Sequence, residues 1–280
     1  MPLSYKTTEG DMLTVAASLL QPDEPAELSK MGTTAQDKKR SWKCRFPDGR
    51  RFIPEIPFLL ETADLLFINK PAGISVHGDN SIAELLTGIF SAASFGQSQP
   101  ESLSFKQGPL HRLDKDTTGI LCFSRTLAGA QWFSQCLREK TVTKYYLGIV
   151  RGNMSSQLIS TETGNGNALT KSFQVEYNNT IDASLMLFQL ITGKKHQIRV
   201  HTMGAGHPLI GDGRYRGGSP LPHCQHYLLH AWRISFPESR PAAIPLFIEA
   251  PFFPAMQRCL TDFFPAWKKQ IEALLPLKFR

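Results

Sequence analysis

No stretch of this 280-residue sequence stays apolar for long. Its hydrophobic runs are short and broken by polar residues, well under the roughly 20 residues that a membrane helix needs. The start, Met1-Pro2-Leu3-Ser4-Tyr5-Lys6, lacks the apolar core of a secretory signal, so a cytoplasmic location is expected. Cysteine is sparse: Cys44, Cys122, Cys136, Cys224 and Cys259 are odd in number, scattered and without a C-x-x-C pair. That argues against a disulfide framework or a structural zinc site. Cys122 and Cys136 lie in apolar segments and read as small core residues. The one metal-like cluster, His223-Cys224-Gln225-His226, has no second group of ligands to complete it, so no metal is expected. Acid is short relative to base, 24 Asp and Glu against 31 Lys and Arg, which leaves a formal net charge of +7. The excess suits a polyanion, either nucleic acid or an anionic membrane surface.

What is present fits one or two domains with a substantial core. The 41% hydrophobic and 20% charged residues are those of an ordinary globular protein. Residues 1–55 differ from the remainder and read as a basic N-terminal extension. Asp11 to Leu20 could form a short helix, and Gln21 to Gln36 reads as loop. A basic stretch then interleaves rings with charge: Lys38, Lys39, Arg40, Trp42, Lys43, Arg45, Phe46, Arg50, Arg51 and Phe52. Cations beside stacking rings suit single-stranded RNA, and a solvated linker face with hydrophobic anchors fits equally well. Residues 56–280 carry a mixed pattern. Short strands are expected at Asp64 to Asn69, Ile120 to Ser124, Thr143 to Val150, Leu185 to Ile191 and within Tyr227 to Phe236. Helices are expected from Ser81 to Phe90, with Ser81 and Glu84 as a capping box, and from Leu127 to Arg138, Lys194 to Met203 and Gln257 to Leu275. Ala92 to Phe105 reads as a polar loop. Strands and helices do not alternate regularly, which disfavours a doubly wound parallel sheet.

Four blocks carry most of the information. They are Asn69-Lys70-Pro71-Ala72-Gly73-Ile74-Ser75-Val76-His77, His111-Arg112-Leu113-Asp114-Lys115-Asp116-Thr117-Thr118-Gly119, Lys144-Tyr145-Tyr146-Leu147-Gly148-Ile149-Val150-Arg151-Gly152, and Thr192-Gly193-Lys194-Lys195-His196-Gln197-Ile198-Arg199-Val200-His201. The last continues through Gly206-His207-Pro208-Leu209-Ile210-Gly211-Asp212 and Tyr215. In the second block a carboxylate follows a guanidinium by two positions. The turn-forming Gln107-Gly108-Pro109-Leu110 precedes it and an apolar run follows, so Asp114 is expected on a loop leading into a buried strand. An Arg-x-Asp pair taken alone is most often a surface ion pair, but a rigid scaffold can also hold such a pair on a loop as part of an active site. In the third block Tyr145 and Tyr146 would point to opposite faces of a strand. In the fourth, a helix would put His196 and Arg199 on one face and Gln197 and His201 on another. One face could look into a site and the other into the core.

In this order the four blocks resemble the motifs of the RluA-type pseudouridine synthases, which isomerise uridine in RNA. The resemblance runs from about Leu60 to about Phe236. It implies an α+β fold with a large mixed, mostly antiparallel β-sheet, and RNA lying in a basic cleft across it. By the same resemblance Asp114 is the catalytic carboxylate, Arg199 its basic partner and Tyr146 the active-site tyrosine, while Arg112 helps fill the gap left when uridine swings out. Thr118 stands where relatives usually have Ser, which keeps a hydroxyl. Lys195 stands where relatives often have Arg or Thr. The S4-type RNA-binding pattern that many relatives carry near the N-terminus is not found here.

The reaction sets its own demands. The bond from ribose C1′ to uracil N1 breaks, the base turns, and C5 bonds to C1′ instead. No redox change occurs and no atom is lost, so neither cofactor nor metal is required. Asp114 could attack C1′ or take a proton from C2′, and the residues do not choose between these routes. Arg112 and Arg199 supply positive charge nearby. The ring of Tyr146 could stack on uracil, and its hydroxyl is a candidate for removing the C5 proton. The target base is hidden in a stack and must be flipped out. Lys194, Lys195, Arg214 and Arg216 could clamp phosphates, which sets affinity and not sequence choice. His111 reads as an orienter of its loop, His196 as structural, and Lys70-Pro71-Ala72-Gly73 as a turn that shapes the site. The expected partner is ribosomal or transfer RNA, acted on by a monomer. An RNA-binding protein that has lost activity is disfavoured, because Asp114, Tyr146 and Arg199 are all intact. A glycoside hydrolase generally wants two carboxylates flanking the bond, and Asp116 is the only second acid nearby.

Overall fold

The computed structural model describes residues 41–45, 52–86, 105–162 and 166–275. The helix expected at Asp11 to Leu20 and the loop from Gln21 to Gln36 lie outside the described residues, as does nearly all of the Ala92 to Phe105 loop. Among the described residues eleven strands form one sheet: β1 (Ser41–Arg45), β2 (Phe52–Glu61), β3 (Leu65–Lys70), β4 (Gly108–Pro109), β5 (Thr118–Ser124), β6 (Thr143–Arg151), β7 (Gln157–Thr161), β8 (Ala168–Asn178), β9 (Ala183–Leu190), β10 (Leu229–Ser235) and β11 (Phe247–Glu249). Their order across the sheet is β1-β2-β3-β5-β10-β6-β9-β8-β7, with β11 beside β10 and β4 beside β5. Only the β5–β10 pairing is parallel; the others among the described residues are antiparallel. This is the mixed, mostly antiparallel sheet that the resemblance implies.

The central strands are buried on both sides, and successive residues serve different cores. Along β6, Tyr145, Leu147 and Ile149 enter one apolar cluster, and Tyr146 and Val150 enter another on the opposite face. Leu66 and Ile68 of β3 face the same side as Tyr146, while Leu65 and Phe67 face away. The far face is covered by α1 (Leu127–Arg138), α3 (Pro254–Phe263) and α4 (Trp267–Leu274), which bury Phe133, Leu260 and Ile271 among other side chains. The near face holds the helix that begins at Ile82 and α2 (Gln197–Gly204). Cys122 and Cys136 are buried in the core, as their apolar surroundings predict.

Several expectations need correction. The closing helix expected from Gln257 to Leu275 is two helices, because Pro265 removes a donor and clashes with the preceding turn. The helix expected from Lys194 begins only at Gln197, since His196 takes a left-handed φ of 54° and cannot propagate helical geometry. Strands β7 and β8 were not anticipated. β2 runs through position 55/56, where the sequence pattern divides the chain, and it pairs with both β1 and β3. Pro54 and Pro57 argue against a strand there, and the β2–β3 register shifts between Phe58 and Leu60. At the start of the helix after Ser81, the Glu84 amide donates to the Ser81 hydroxyl, and the Glu84 carboxylate accepts from the Asn80 amide, one residue before the expected partner.

Candidate active site

The Asp114 loop is held from below by one buried cation. Lys70 ends β3 fully buried, and its ammonium donates to the carbonyls of Pro71, Lys115 and Thr117, each at 2.9 Å. Three donors meet three acceptors, which ties the first block to the second on both sides of Asp116. Burial lowers the Lys70 pKa to about 7, against the opposing pull of Asp116 and Asp114; the three carbonyls favour the charged form. The loop then enters β5 at Thr118, whose hydroxyl lies 2.7 Å from His230 Nδ1. Gly119 has a φ of +107°, and a Cβ there would sit 2.3 Å from the Ala231 carbonyl oxygen of β10. The glycine of the Thr-Thr-Gly sequence is thus required by the close approach of β10.

Asp114, as expected, lies on the loop before this strand, and α2 brings Arg199 to it. Arg199 Nη1 donates to Asp114 Oδ2 at 3.2 Å. Its other edge forms a fork on Asp212, Nε to Oδ2 at 2.6 Å and Nη2 to Oδ1 at 2.9 Å. One guanidinium therefore joins a carboxylate at the cleft to a carboxylate that is only 1% exposed. The Arg199 Cζ also lies 4.9 Å from the Tyr215 ring centre and 4.6 Å from that of Tyr227. Burial opposes the Arg199 charge, yet the hydrogen bond to Asp212 and the fields of Tyr227 and Asp212 raise its pKa above the ordinary value.

Tyr146 lines the same cleft, a space of about 470 Å³ that also meets Asp114, Arg199, Arg112 and Lys144. Burial raises the Tyr146 pKa, and the Asp114 charge adds to it. Tyr145 faces the opposite core, as the strand pattern predicts. His111 stacks on Phe133, and its Nε2 accepts from the Cys122 amide at 3.1 Å. Burial lowers its pKa to about 3, so it is a neutral ring that fixes the loop. His196 Nε2 stands 3.6 Å from Asp114 Oδ1, and Nδ1 is 2.9 Å from the Tyr215 hydroxyl. Burial, together with Arg199, Arg214 and Lys195, lowers the His196 pKa despite Asp114. The two faces expected from helical spacing are not formed as predicted, because His196 lies outside α2 as its left-handed N-cap. Gln197 and His201 do share a partner, the Thr170 hydroxyl at 2.9 Å from each, and Gln197 also borders the cleft.

The other candidate cations are distributed unevenly. Arg112, Lys194 and Lys195 line the cleft. Arg214 lies with its Cζ 5.8 Å from the Tyr215 ring centre. Arg216 is exposed after the 3-10 turn Gly213–Tyr215 and does not line the cleft. Asp212 and Tyr227 escaped sequence reasoning. Asp212 was visible as an acid after Gly211 in an otherwise apolar block, and its burial beside an arginine could have been asked for. Nothing local marks Tyr227, whose hydroxyl sits 3.3 Å from that of Thr117.

Comparison with known proteins agrees with this geometry. Residues 64–203 match the family described as RNA pseudouridylate synthase. A ribosomal large subunit pseudouridine synthase C from Pasteurella multocida is 33% identical over 229 residues, covering 74% of this chain and 67% of the relative. A ribosomal large subunit pseudouridine synthase D from Nitrosomonas europaea is 31% identical over 202 residues, covering 64% of this chain and 57% of the relative. The chain thus spans 57% to 67% of the length of these two relatives. The solved structure of human RNA pseudouridylate synthase domain containing 4 superposes with a TM-score of 0.59 at 22% identity, over 73% of this chain and 91% of that one, a likeness of fold.

Proposed function

The chain belongs to the RNA pseudouridylate synthase family, and from that premise we propose that it isomerises uridine to pseudouridine in ribosomal RNA. The observation that carries the reading is the chain of contacts from Asp212 through Arg199 to Asp114 at the wall of a cleft shared with Tyr146. The choice of ribosomal over transfer RNA rests on the relatives named for the large ribosomal subunit. The reaction breaks C1′–N1 and forms C1′–C5, the C5 proton leaves and a proton is taken up at N1, so no electrons are exchanged.

Asp114 is the group that meets the sugar, by attack on C1′ or by proton removal from C2′. Arg199 holds that carboxylate in place and is itself held by the Asp212 fork, so the acid is aimed before substrate arrives. Tyr146 offers a flat face to the uracil. With its pKa raised it remains a phenol at neutral pH, which favours stacking over service as a phenolate base. Arg112, exposed at the cleft, fits the space vacated by the flipped nucleotide, and the chain works in the cytoplasm where such RNA is found. An inactive RNA-binding protein would have no use for so closely aligned an acid and guanidinium.

The test uses a large-subunit ribosomal RNA transcript tritiated at uridine C5. Wild type should release tritium to water, and Asp114→Asn should bind the RNA without release. Equal release by both proteins would remove Asp114 from the reaction. Mapping of pseudouridines in total RNA from a strain lacking the gene separates ribosomal from transfer RNA targets.

A further inference from the structure

One partly buried cation of the cleft has no counterpart among the described residues. Lys144 begins the third block on β6, two residues before Tyr146 and on the same face, so the two side chains leave the strand about 7 Å apart. Among the described residues its ammonium makes no hydrogen bond and no ion pair, in contrast to Lys70, which satisfies each of its donors. Across the cleft the ammonium faces the Thr192-Gly193 turn, where a Cβ on Gly193 would lie 3.6 Å from Lys144 Nζ. Burial lowers the Lys144 pKa, and its field contributes to the lowered pKa of His111.

The Lys144 side chain is only partly buried and its ammonium is not sealed from water, so it is free to meet a ligand that enters the cleft. The ligand that suits this place is an anion. Asp114 is the only acid lining the cleft among the described residues, and it is already engaged by Arg199. The remaining charged wall is Arg112, Lys140, Lys194 and Lys195. A neutral uracil carbonyl would return one ordinary hydrogen bond, whereas a phosphate oxygen returns a charge-assisted one. The placement agrees, because the two side chains leave one face of β6 as neighbours, so a nucleotide whose base lies on Tyr146 brings its phosphate within reach of a long lysine side chain.

We propose that Lys144 is the phosphate-holding residue of the cleft, taking a backbone phosphate of the extruded uridine while Tyr146 takes its base. This rests on the reading of the chain as a pseudouridine synthase and adds how the nucleotide is gripped once it leaves the stack. Lys144 fixes the sugar–phosphate against β6, and the C1′ carbon is thereby presented to Asp114.

The experiment compares wild type, Lys144→Met and Lys144→Arg with the transcript tritiated at uridine C5. Tritium release is measured for turnover, and fluorescence anisotropy at a series of salt concentrations for binding. Lys144→Met should raise KM about 10- to 100-fold, the worth of one charge-assisted hydrogen bond, with kcat changed far less. The slope of log affinity against log salt should shrink by about 0.7 to 0.9. Lys144→Arg should recover both. Because the deleted charge is unpaired in the free protein, Lys144→Met should melt at or above wild type. An unchanged KM and salt slope, a fall in kcat alone, or a Lys144→Met protein melting well below wild type would overturn the assignment. Absence of release by wild type would instead defeat the proposed activity, and the binding arm would still report on Lys144.

Discussion

Replacing Asp212 by Asn tests the site where its geometry is tightest. Asn keeps the size of the side chain but removes the charge and turns one acceptor into a donor. Arg199 approaches Asp212 with two N–H groups at 2.6 and 2.9 Å, so one of them would then face an NH₂. Both residues are nearly sealed from water, Arg199 at 8% exposure and Asp212 at 1%, and screening will not soften the loss. Breaking a buried pair from one side costs about 3–5 kcal/mol, which for a domain of this size lowers Tm by roughly 6 to 20 °C. The guanidinium, with its fork reduced to one neutral hydrogen bond, keeps its 3.2 Å contact with Asp114 and its place over the Tyr215 and Tyr227 rings, and a displacement of the Arg199–Asp114 pair by about 1 Å is enough for a loss of about 100-fold in kcat. The assay combines thermal unfolding by circular dichroism with tritium release. A cycle with Asp114→Asn sharpens it: either single variant leaves Arg199 one carboxylate, and the double leaves none, so the double should be less stable than the sum of the singles by about 0.5–3 kcal/mol. Wild-type melting and turnover in Asp212→Asn, or strict additivity in the cycle, would refute the claim that Asp212 aims Arg199.

The remaining predictions concern the scaffold of the Asp114 loop. Lys70→Met should strand three carbonyls and destabilise the fold by about 3 kcal/mol or more, read by urea unfolding, with tritium release falling further than stability alone accounts for. Gly119→Ala should cost more than about 3 kcal/mol, since it adds both a strained φ and a Cβ inside the Ala231 carbonyl; a soluble variant unfolding at the wild-type urea midpoint would contradict this. His111 has a folded pKa of about 3 against an ordinary 6.5, so the unfolded chain takes up its proton first. Its contribution is complete above about pH 6.5 and is lost as pH falls toward 3, at up to about 1.4 kcal/mol per pH unit. His111→Gln, which can still accept from the Cys122 amide, should flatten the stability-versus-pH curve in that range.

The parts of the site that lie within one block were legible in the sequence. Asp114 on its loop, Tyr146 on the face opposite Tyr145, and the shared side of Gln197 and His201 follow from local spacing alone. What escaped is what arises between blocks. Asp212 matters because a turn after Gly211 returns it to Arg199, thirteen residues earlier, and no periodicity marks such a return. Lys70 reads as part of a turn until the carbonyls of the second block close on it. Pro54 and Pro57 concealed β2 because propensity counts against them, while pairing with β1 and β3 prevailed. The start of α2 was misplaced by three residues because His196 adopts a conformation that its side chain does not announce.

The order of strands carries a consequence for biogenesis. β10 is the only element that hydrogen-bonds both β5 and β6 among the described residues, yet it spans Leu229–Ser235. A nascent chain that has emerged only as far as α2 therefore holds two separate half-sheets with bare edges, and the acid and the tyrosine belong to different halves. Their union waits for a distant segment, so maturation should be slow and the incomplete polypeptide prone to edge-to-edge association on the ribosome.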